Sequence, residues 1–160
     1  MSTPRLTVRM GVRDDVNEVF KLIDDTEFGS EEGYVRNVYR TLPDMNKRVL
    51  GGLETLFVAF DEAGELVSAV SVTRRPEPGN ASIPMVVTAV DKRKQGYCTA
   101  LLDFTIKTLA ELGFRKVFVT CPLDNVALQG ALVRSGFSVE GQINDVYGSG
   151  GHAVMCGRQI

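Results

Sequence analysis

The chain has no tryptophan, a single histidine and only three cysteines among its 160 residues. Cys98, Cys121 and Cys156 stand far apart, and His152 has no neighbouring thiol, so no ligand spacing typical of zinc is present and we expect no metal. The sequence also contains no signal peptide and no apolar run long enough to cross a bilayer. We therefore expect a cytoplasmic, reduced protein that has no membrane partner.

An excess of basic charge is also missing. The chain has 18 lysines and arginines against 20 acidic residues, which gives a net charge of -2. A protein that coats nucleic acid normally needs a basic face, so we expect no nucleic-acid partner. The composition, 44% hydrophobic and 24% charged, is that of an ordinary globular protein. We expect one domain over residues 1–160.

The first third of the chain predicts one strand and two helices. Residues 6–9 alternate like a short strand, and apolar residues recur at helical spacing over residues 16–23. A second helix is predicted over residues 34–42, ending before Pro43. The stretch 44–54 is predicted to be a loop.

The rest of the chain alternates between strand-like and helix-like segments. Residues 55–60 and 65–74 are rich in β-branched and aromatic residues and are joined by a short turn with a glycine, which predicts a hairpin. This order predicts an α/β fold with a mixed sheet. The later predicted elements are a strand at 85–90, a helix at 100–112, a strand at 117–120, a helix at 124–134, and strands at 137–142 and 153–156.

A basic loop of sequence RKQGYCT, residues 93–99, lies between a predicted strand and a predicted helix. The start of a helix has unpaired backbone N–H groups and a partial positive charge, and a glycine permits close approach of a ligand. Arg93 and Lys94 add full charges, although such residues are often only solvated. The loop therefore predicts a phosphate-binding site.

Two motifs in order resemble the GNAT superfamily of N-acetyltransferases. Arg93-x-x-Gly96-x-Cys98 resembles the acyl-CoA pyrophosphate loop of that family, and the segment NVALQGALVRSGF, residues 125–137, is similar to its second motif. The hairpin and the tail from residue 146 to 155 also resemble its strands. The resemblance implies a mixed, mostly antiparallel central sheet of about seven strands, flanked by about four helices.

The resemblance also implies the cofactor, acetyl-CoA, and where it binds. In the family the backbone of the fourth strand pairs with the pantetheine arm, the amides of the loop hold the pyrophosphate, and the thioester enters where the fourth and fifth strands separate. An asparagine at the start of the next helix lines the cleft, although Asn125 is equally suited to cap that helix. The cofactor-binding residues implied are Val86, Val87, Thr88, Arg93, Lys94, Gln95, Gly96, Tyr97, Cys98, Thr99 and Asn125.

The sequence departs from the family at the positions that handle protons. Leu132 stands where the family often has a tyrosine acid, and Thr120 and Ser82 stand where relatives have a glutamate base. Tyr147, in the turn before the last strand, is the catalytic candidate that remains, and packing on the rim of the sheet is its alternative role. Cys98, in the first turn of a helix beside Lys94, is predicted to have a lowered pKa or to be simply packed.

The missing carboxylates favour a substrate amine that loses its proton easily. An α-amino group has a pKa of about 7.7 to 8 against about 10.4 for lysine, so its deprotonation costs about 3.5 kcal/mol less at neutral pH. The expected function is direct acetyl transfer to a small-molecule amine or a protein N-terminus, with a non-catalytic acyl-CoA-binding module as the alternative. Arg74 and Arg75 would favour an acidic acceptor, or they are simply exposed arginines at the end of a hairpin. A homodimer is compatible with the family.

Overall fold

Seven strands form one sheet in the order β1-β2-β3-β4-β5-β7-β6. This is a computed structural model, and it describes residues 6–26, 42–145 and 151–160. Neighbouring strands are antiparallel except β4 and β5, which are parallel. The strands are β1 (Thr7–Met10), β2 (Thr55–Phe60), β3 (Leu66–Arg74), β4 (Asn80–Thr88), β5 (Lys116–Pro122), β6 (Ser138–Ile143) and β7 (Ala153–Gln159).

Four α-helices flank this sheet in the part of the chain that the structure describes. The mixed, mostly antiparallel sheet of about seven strands with about four helices is therefore confirmed. None of these helices is long and apolar enough to cross a bilayer. They are α1 (Val16–Asp24), α2 (Leu42–Leu50), α3 (Tyr97–Glu111) and α4 (Val126–Arg134).

Each face of the sheet carries its own hydrophobic core. The first core contains the inward face of α3, including Leu101 and Leu102, together with Leu132 of α4. The second core contains the apolar stripe of α1 and Met45 of α2. Because successive side chains of a strand point to opposite faces, the central strands contribute to both cores, as Leu56 and Phe57 of β2 do.

A β-bulge divides β4 into two halves. Ser71 of β3 pairs with Met85 and Thr73 pairs with Ser82, so one residue of β3 faces two residues of β4. Pro84 is one of the two, and a bulge is one of the few places where a strand tolerates a residue without an N–H group. The extra residue shifts the alternation, so the side chains that follow it point to the opposite face of the sheet from the one that regular alternation would give. Thus Ala81 and Ile83 pack in the first core, while Met85 and Val87 pack in the second.

Beyond the bulge β4 and β5 are no longer paired. The two strands are in register only from Asn80 with Lys116 to Ser82 with Phe118. Residues 85–88 of β4 remain paired with β3 on one edge, and β5 continues along β7 as far as Pro122. The predicted separation of the fourth and fifth strands is confirmed, and it leaves one backbone edge of β4 facing a cleft.

The structure corrects the predicted loop over residues 44–54, because α2 occupies most of it. Leu42, Met45 and Val49 lie on one face of the helix, and Met45 is fully buried. Pro43 does not end a helix here but stands in the first turn of α2. Backbone N–H groups in a first turn have no intrahelical acceptor, so a residue without an N–H is tolerated there. Apart from Leu42, the helix predicted over residues 34–42 lies outside the described residues.

Several boundaries also differ from the predictions. The strand predicted over residues 85–90 runs from Asn80 to Thr88, because the bulge accommodates Pro84 and because Val90 begins a short 3-10 helix. The helix predicted from residue 100 begins at Tyr97. The final strand extends to Gln159, three residues beyond the prediction.

Candidate functional site

The basic loop reverses the chain sharply before α3 begins. Lys94 and Gly96 both have left-handed backbones, with φ of 62° and 88°. Gly96 is the N-cap of α3 and offers no side-chain acceptor, so the N–H groups of residues 96–99 lack intrahelical partners. Lys94, Gln95 and Gly96 are exposed. The loop thus presents free backbone donors, a helix dipole and a positive charge on one surface, which suits a phosphate group.

Two interactions hold this loop against the sheet. The Nε of Arg93 donates to the carbonyl oxygen of Thr88, at 3.2 Å. The Nζ of Lys92 pairs with Asp61 in the β2–β3 turn, at 3.4 Å, and this hydrogen bond raises the pKa of Lys92. The backbone amide of Glu65 and the same ion pair hold the pKa of Asp61 below its ordinary value. Since Arg93 and Lys92 serve the loop's own structure, Lys94 is the cation of this loop that is most open to a ligand.

The cleft edge of β4 has the chemistry expected of a strand that accepts a partner. Val86 is half-buried, and Val87 is buried in the second core. The Oγ1 of Thr88 forms a hydrogen bond with the Oγ of Ser68, at 3.0 Å. Since β5 does not pair with these three residues, an extended ligand could add to the sheet along their outer edge.

The Cys98 thiol is packed, which is one of the two roles predicted for it. It packs against the first core and forms a hydrogen bond with Thr88, and its burial raises its pKa to about 11. The charge of Arg134 opposes that rise without outweighing it. Cys98 is therefore a packed thiol at the base of the loop, and the predicted lowering of its pKa is wrong. The effect of burial on the pKa of Cys98 is larger than the effect expected from Lys94, because the Cys98 side chain faces the core while Lys94 faces solvent.

The other loop residues divide between structure and surface. The Tyr97 side chain is buried in the first core, so only its backbone amide faces the loop. The Nε2 of Gln95 donates to the carbonyl oxygen of Asp91, at 3.2 Å, which closes the loop on itself. Thr99 is half-buried in the first turn of α3.

Asn125 caps α4, on the other side of the cleft. Its Oδ1 accepts a hydrogen bond from the amide of Leu128, at 3.1 Å. The capping role considered from the sequence is thus present. The side-chain NH₂ group of Asn125 has no partner among the residues that the structure describes, so one polar group of this side chain is still open to a ligand.

None of the three positions where relatives carry an acid or base holds a titratable group. Leu132 is fully buried in the first core, and Thr120 is exposed on β5. The Oγ of Ser82 accepts a hydrogen bond from Nη1 of Arg75, at 3.2 Å. Tyr147, the catalytic candidate predicted from the sequence, lies outside the described residues.

Other polar groups near the cleft have structural partners. The Nδ1 of His152 accepts a hydrogen bond from the amide of Asp145, at 2.9 Å, which orients the ring in the β6–β7 connection. Glu140 is paired with Lys116, at 2.6 Å. In the described ranges no group of three His, Cys, Asp or Glu side chains is arranged to hold a metal ion.

The part of the sequence that contains the cleft edge of β4 and the basic loop matches a known family. The model of the acetyltransferase (GNAT) family matches residues 17–137, which is most of the chain. The chain belongs to the acetyltransferase (GNAT) family. This match contains the sheet from β2 to β5, the basic loop, α3 and α4. The resemblance stated from the two sequence motifs is thereby confirmed.

Solved structures of GNAT proteins share this fold at low sequence identity. No curated protein sequence matches the chain. An N-acetyltransferase from Staphylococcus aureus Mu50 has a TM-score of 0.79 at 16% identity, over 97% of this chain and 98% of its own. The ribosomal-protein-S18-alanine N-acetyltransferase from Escherichia coli has a TM-score of 0.78 at 14% identity, over 98% and 94%. Spermidine N-acetyltransferase from Vibrio cholerae, in complex with CoA and spermine, has a TM-score of 0.79 at 16% identity, over 96% and 95%.

Proposed function

We propose that this GNAT protein transfers the acetyl group of acetyl-CoA to a primary amine of a small molecule or of a protein N-terminus. The observation that carries the proposal is the position of the uncapped N-terminus of α3. Only a short 3-10 helix and the basic loop separate it from the strand whose outer edge is open, so a phosphate site and an extended-chain site follow one another along the chain. A phosphorylated carrier with a long arm fits both sites.

The donor set of the loop fits the phosphates of such a carrier. The amides of residues 96–99 and the exposed charge of Lys94 would hold the pyrophosphate. The outer edge of Val86, Val87 and Thr88 would pair with the pantetheine arm, and the NH₂ group of Asn125 would donate to it from the opposite wall. Acetyl-CoA supplies a thioester, which is a reactive acyl donor.

The chain's own contribution to the chemistry is orientation and stabilisation of charge. The bulge at Pro84 lies where β4 and β5 separate, so backbone amides of β4 on the cleft edge are fixed before a substrate arrives. Such fixed donors stabilise the oxyanion of an acyl transfer. The amine attacks the thioester carbonyl directly in a ternary complex, the C–S bond breaks, and CoA leaves as a thiolate. Because Leu132 and Ser82 hold no acid or base, the proton of the amine leaves through water.

Acetyl transfer is tested by incubating the protein with acetyl-CoA and a panel of small amines and short peptides. We expect acetylated amine, identified by mass, to form in proportion to enzyme concentration and together with free CoA thiol. The identities of Leu132, Thr120 and Ser82 favour a second candidate, a non-catalytic acyl-CoA-binding module. That module would bind acetyl-CoA and yield acetylated amine no faster than buffer alone.

A further inference from the structure

Arg75 is held rigidly at the point where the cleft begins. Its Nη1 donates to the Oγ of Ser82, at 3.2 Å, and its guanidinium carbon lies 4.6 Å from the centre of the Phe118 ring. Ser82 and Phe118 form the last registered pair of β4 and β5. The planar guanidinium is thus fixed by stacking and by a hydrogen bond at the apex of the separating strands.

The guanidinium lies on the face of the sheet opposite α3 and α4. Val117 and Val119 pack in the first core, so Phe118, between them, points to the other face. A cofactor held by the N-terminus of α3 approaches the cleft from the first-core side. An acceptor that meets the acetyl group from the opposite side therefore passes Arg75.

Much of the hydrogen-bonding capacity of Arg75 is unused. Its Nε pairs with the exposed carboxylate of Glu77, at 3.2 Å, and one Nη1 hydrogen is used by Ser82. Arginine has five N–H donors, so three of them have no partner within the part of the chain that the structure describes. The side chain is 31% exposed, so a ligand can reach it. A carboxylate can accept two parallel hydrogen bonds from such a planar set of donors.

We infer that Arg75 binds a carboxylate of the acceptor, and that the substrate is therefore an amine that also carries an acid group. This inference rests on the proposed function and specifies its substrate class. A cationic polyamine would meet the positive charge of Arg75 and is disfavoured. Lys116, whose Nζ is 4.8 Å from the centre of the same Phe118 ring, is already paired with Glu140, so Arg75 is the cation that this inference uses.

The neighbouring arginine provides a matched control. Arg74 is exposed and stacks on Phe114, with 4.8 Å between its guanidinium carbon and the ring centre. Phe114 belongs to the first core, so Arg74 lies on the other face, away from Ser82. Arg74→Gln removes the same charge one residue away without changing the apex of the cleft.

The test measures kcat/KM for two matched pairs of α-amines. In the first pair, the same dipeptide has either a free or an amidated C-terminus. In the second pair, Asp-Gly amide is the acid and Asn-Gly amide is its neutral counterpart. We expect kcat/KM for each acid to exceed that for its matched amide by about 10- to 100-fold, because the amide cannot form the charge-assisted hydrogen bonds with Arg75. Arg75→Gln should remove this preference, mainly through KM, and Arg75→Lys should restore only part of it. Arg74→Gln should keep the preference. The rise in unfolding midpoint caused by acetyl-CoA should be the same in all variants, which shows that they fold.

Four results would overturn the inference. Amides accepted as well as acids, or a preference that survives Arg75→Gln, would contradict the role of Arg75 while acetyl transfer stood. An equal loss in Arg74→Gln would attribute the preference to net charge rather than to the site. Failure of every acid and amide to be acetylated would instead contradict the proposed function, and this inference with it.

Discussion

Gly96→Asp is expected to weaken acetyl-CoA binding about a hundredfold without unfolding the protein. Gly96 has a φ of 88°, which aspartate tolerates better than most residues, and a Cβ there meets nothing within 4 Å. A carboxylate about 5 Å from the bound pyrophosphate costs about 1 to 3 kcal/mol for each negative charge it faces. The same carboxylate lies at the positive end of the α3 dipole, which partly offsets any backbone strain. Titration of the protein with acetyl-CoA by calorimetry measures the loss.

The opposite end of the same helix supplies the control. Gly113 has a φ of 91° and equally open surroundings, but it follows the C-terminus of α3. Gly113→Asp puts the carboxylate at the negative end of the dipole, so it should cost more stability than Gly96→Asp and leave the affinity unchanged. Gly96→Asn, which has the same shape without the charge, should bind acetyl-CoA more tightly than Gly96→Asp. Equal affinities for Gly96→Asp and Gly113→Asp would mean that the loop does not hold the phosphates.

The second large effect concerns the amine. With no carboxylate at Ser82 or Thr120 and no tyrosine at Leu132, deprotonation of the substrate depends on the pKa of the amine itself. A peptide with a free N-terminus and one lysine should be acetylated at the α-amine about 400-fold faster than at the lysine at pH 7, as the cost difference of about 3.5 kcal/mol implies. Mass spectrometry of the singly acetylated products, with an N-terminally blocked peptide as the control, measures this ratio.

The preference should fall as the pH rises. The α-amine is largely neutral above pH 8, so its rate levels there, while the neutral fraction of lysine continues to rise about tenfold per pH unit. The ratio of the two products should therefore decrease steadily between about pH 8 and pH 10. Faster acetylation of lysine at pH 7, or a ratio independent of pH, would show that the protein supplies a base after all.

How much the sequence predicts differs between the cofactor side and the acceptor side. The basic loop lies between a strand and a helix that are consecutive in the chain, so local patterns suffice to predict it. The sequence does not predict α2, because Pro43 and several polar residues obscure an apolar face of only three side chains. The sequence does not predict the start of β4 either, because a proline is unfavourable within a strand and only the pairing with β3 shows that Pro84 stands in a bulge.

The acceptor side depends on contacts between residues distant in sequence. Arg74 and Arg75 look equivalent in the sequence, yet the alternation of β3 sends one to Phe114 and the other to Phe118. Which of them meets the cleft depends on the register of β4 with β5, more than 30 residues apart in the chain. The pKa of Cys98 was misjudged for a similar reason, because burial against the first core is a tertiary property. A helix start alone predicts a lowered value.

Thermal unfolding with and without acetyl-CoA tests the central claim, that the loop before α3 and the open edge of β4 hold this cofactor. A ligand at a hundred times its dissociation constant adds about 2.7 kcal/mol of stability, which corresponds to a rise of roughly 5 to 11 °C in the midpoint for a chain of this size. We expect that rise with acetyl-CoA and none with ATP at the same concentration. No rise at saturating acetyl-CoA, or an equal rise with ATP, would contradict the account.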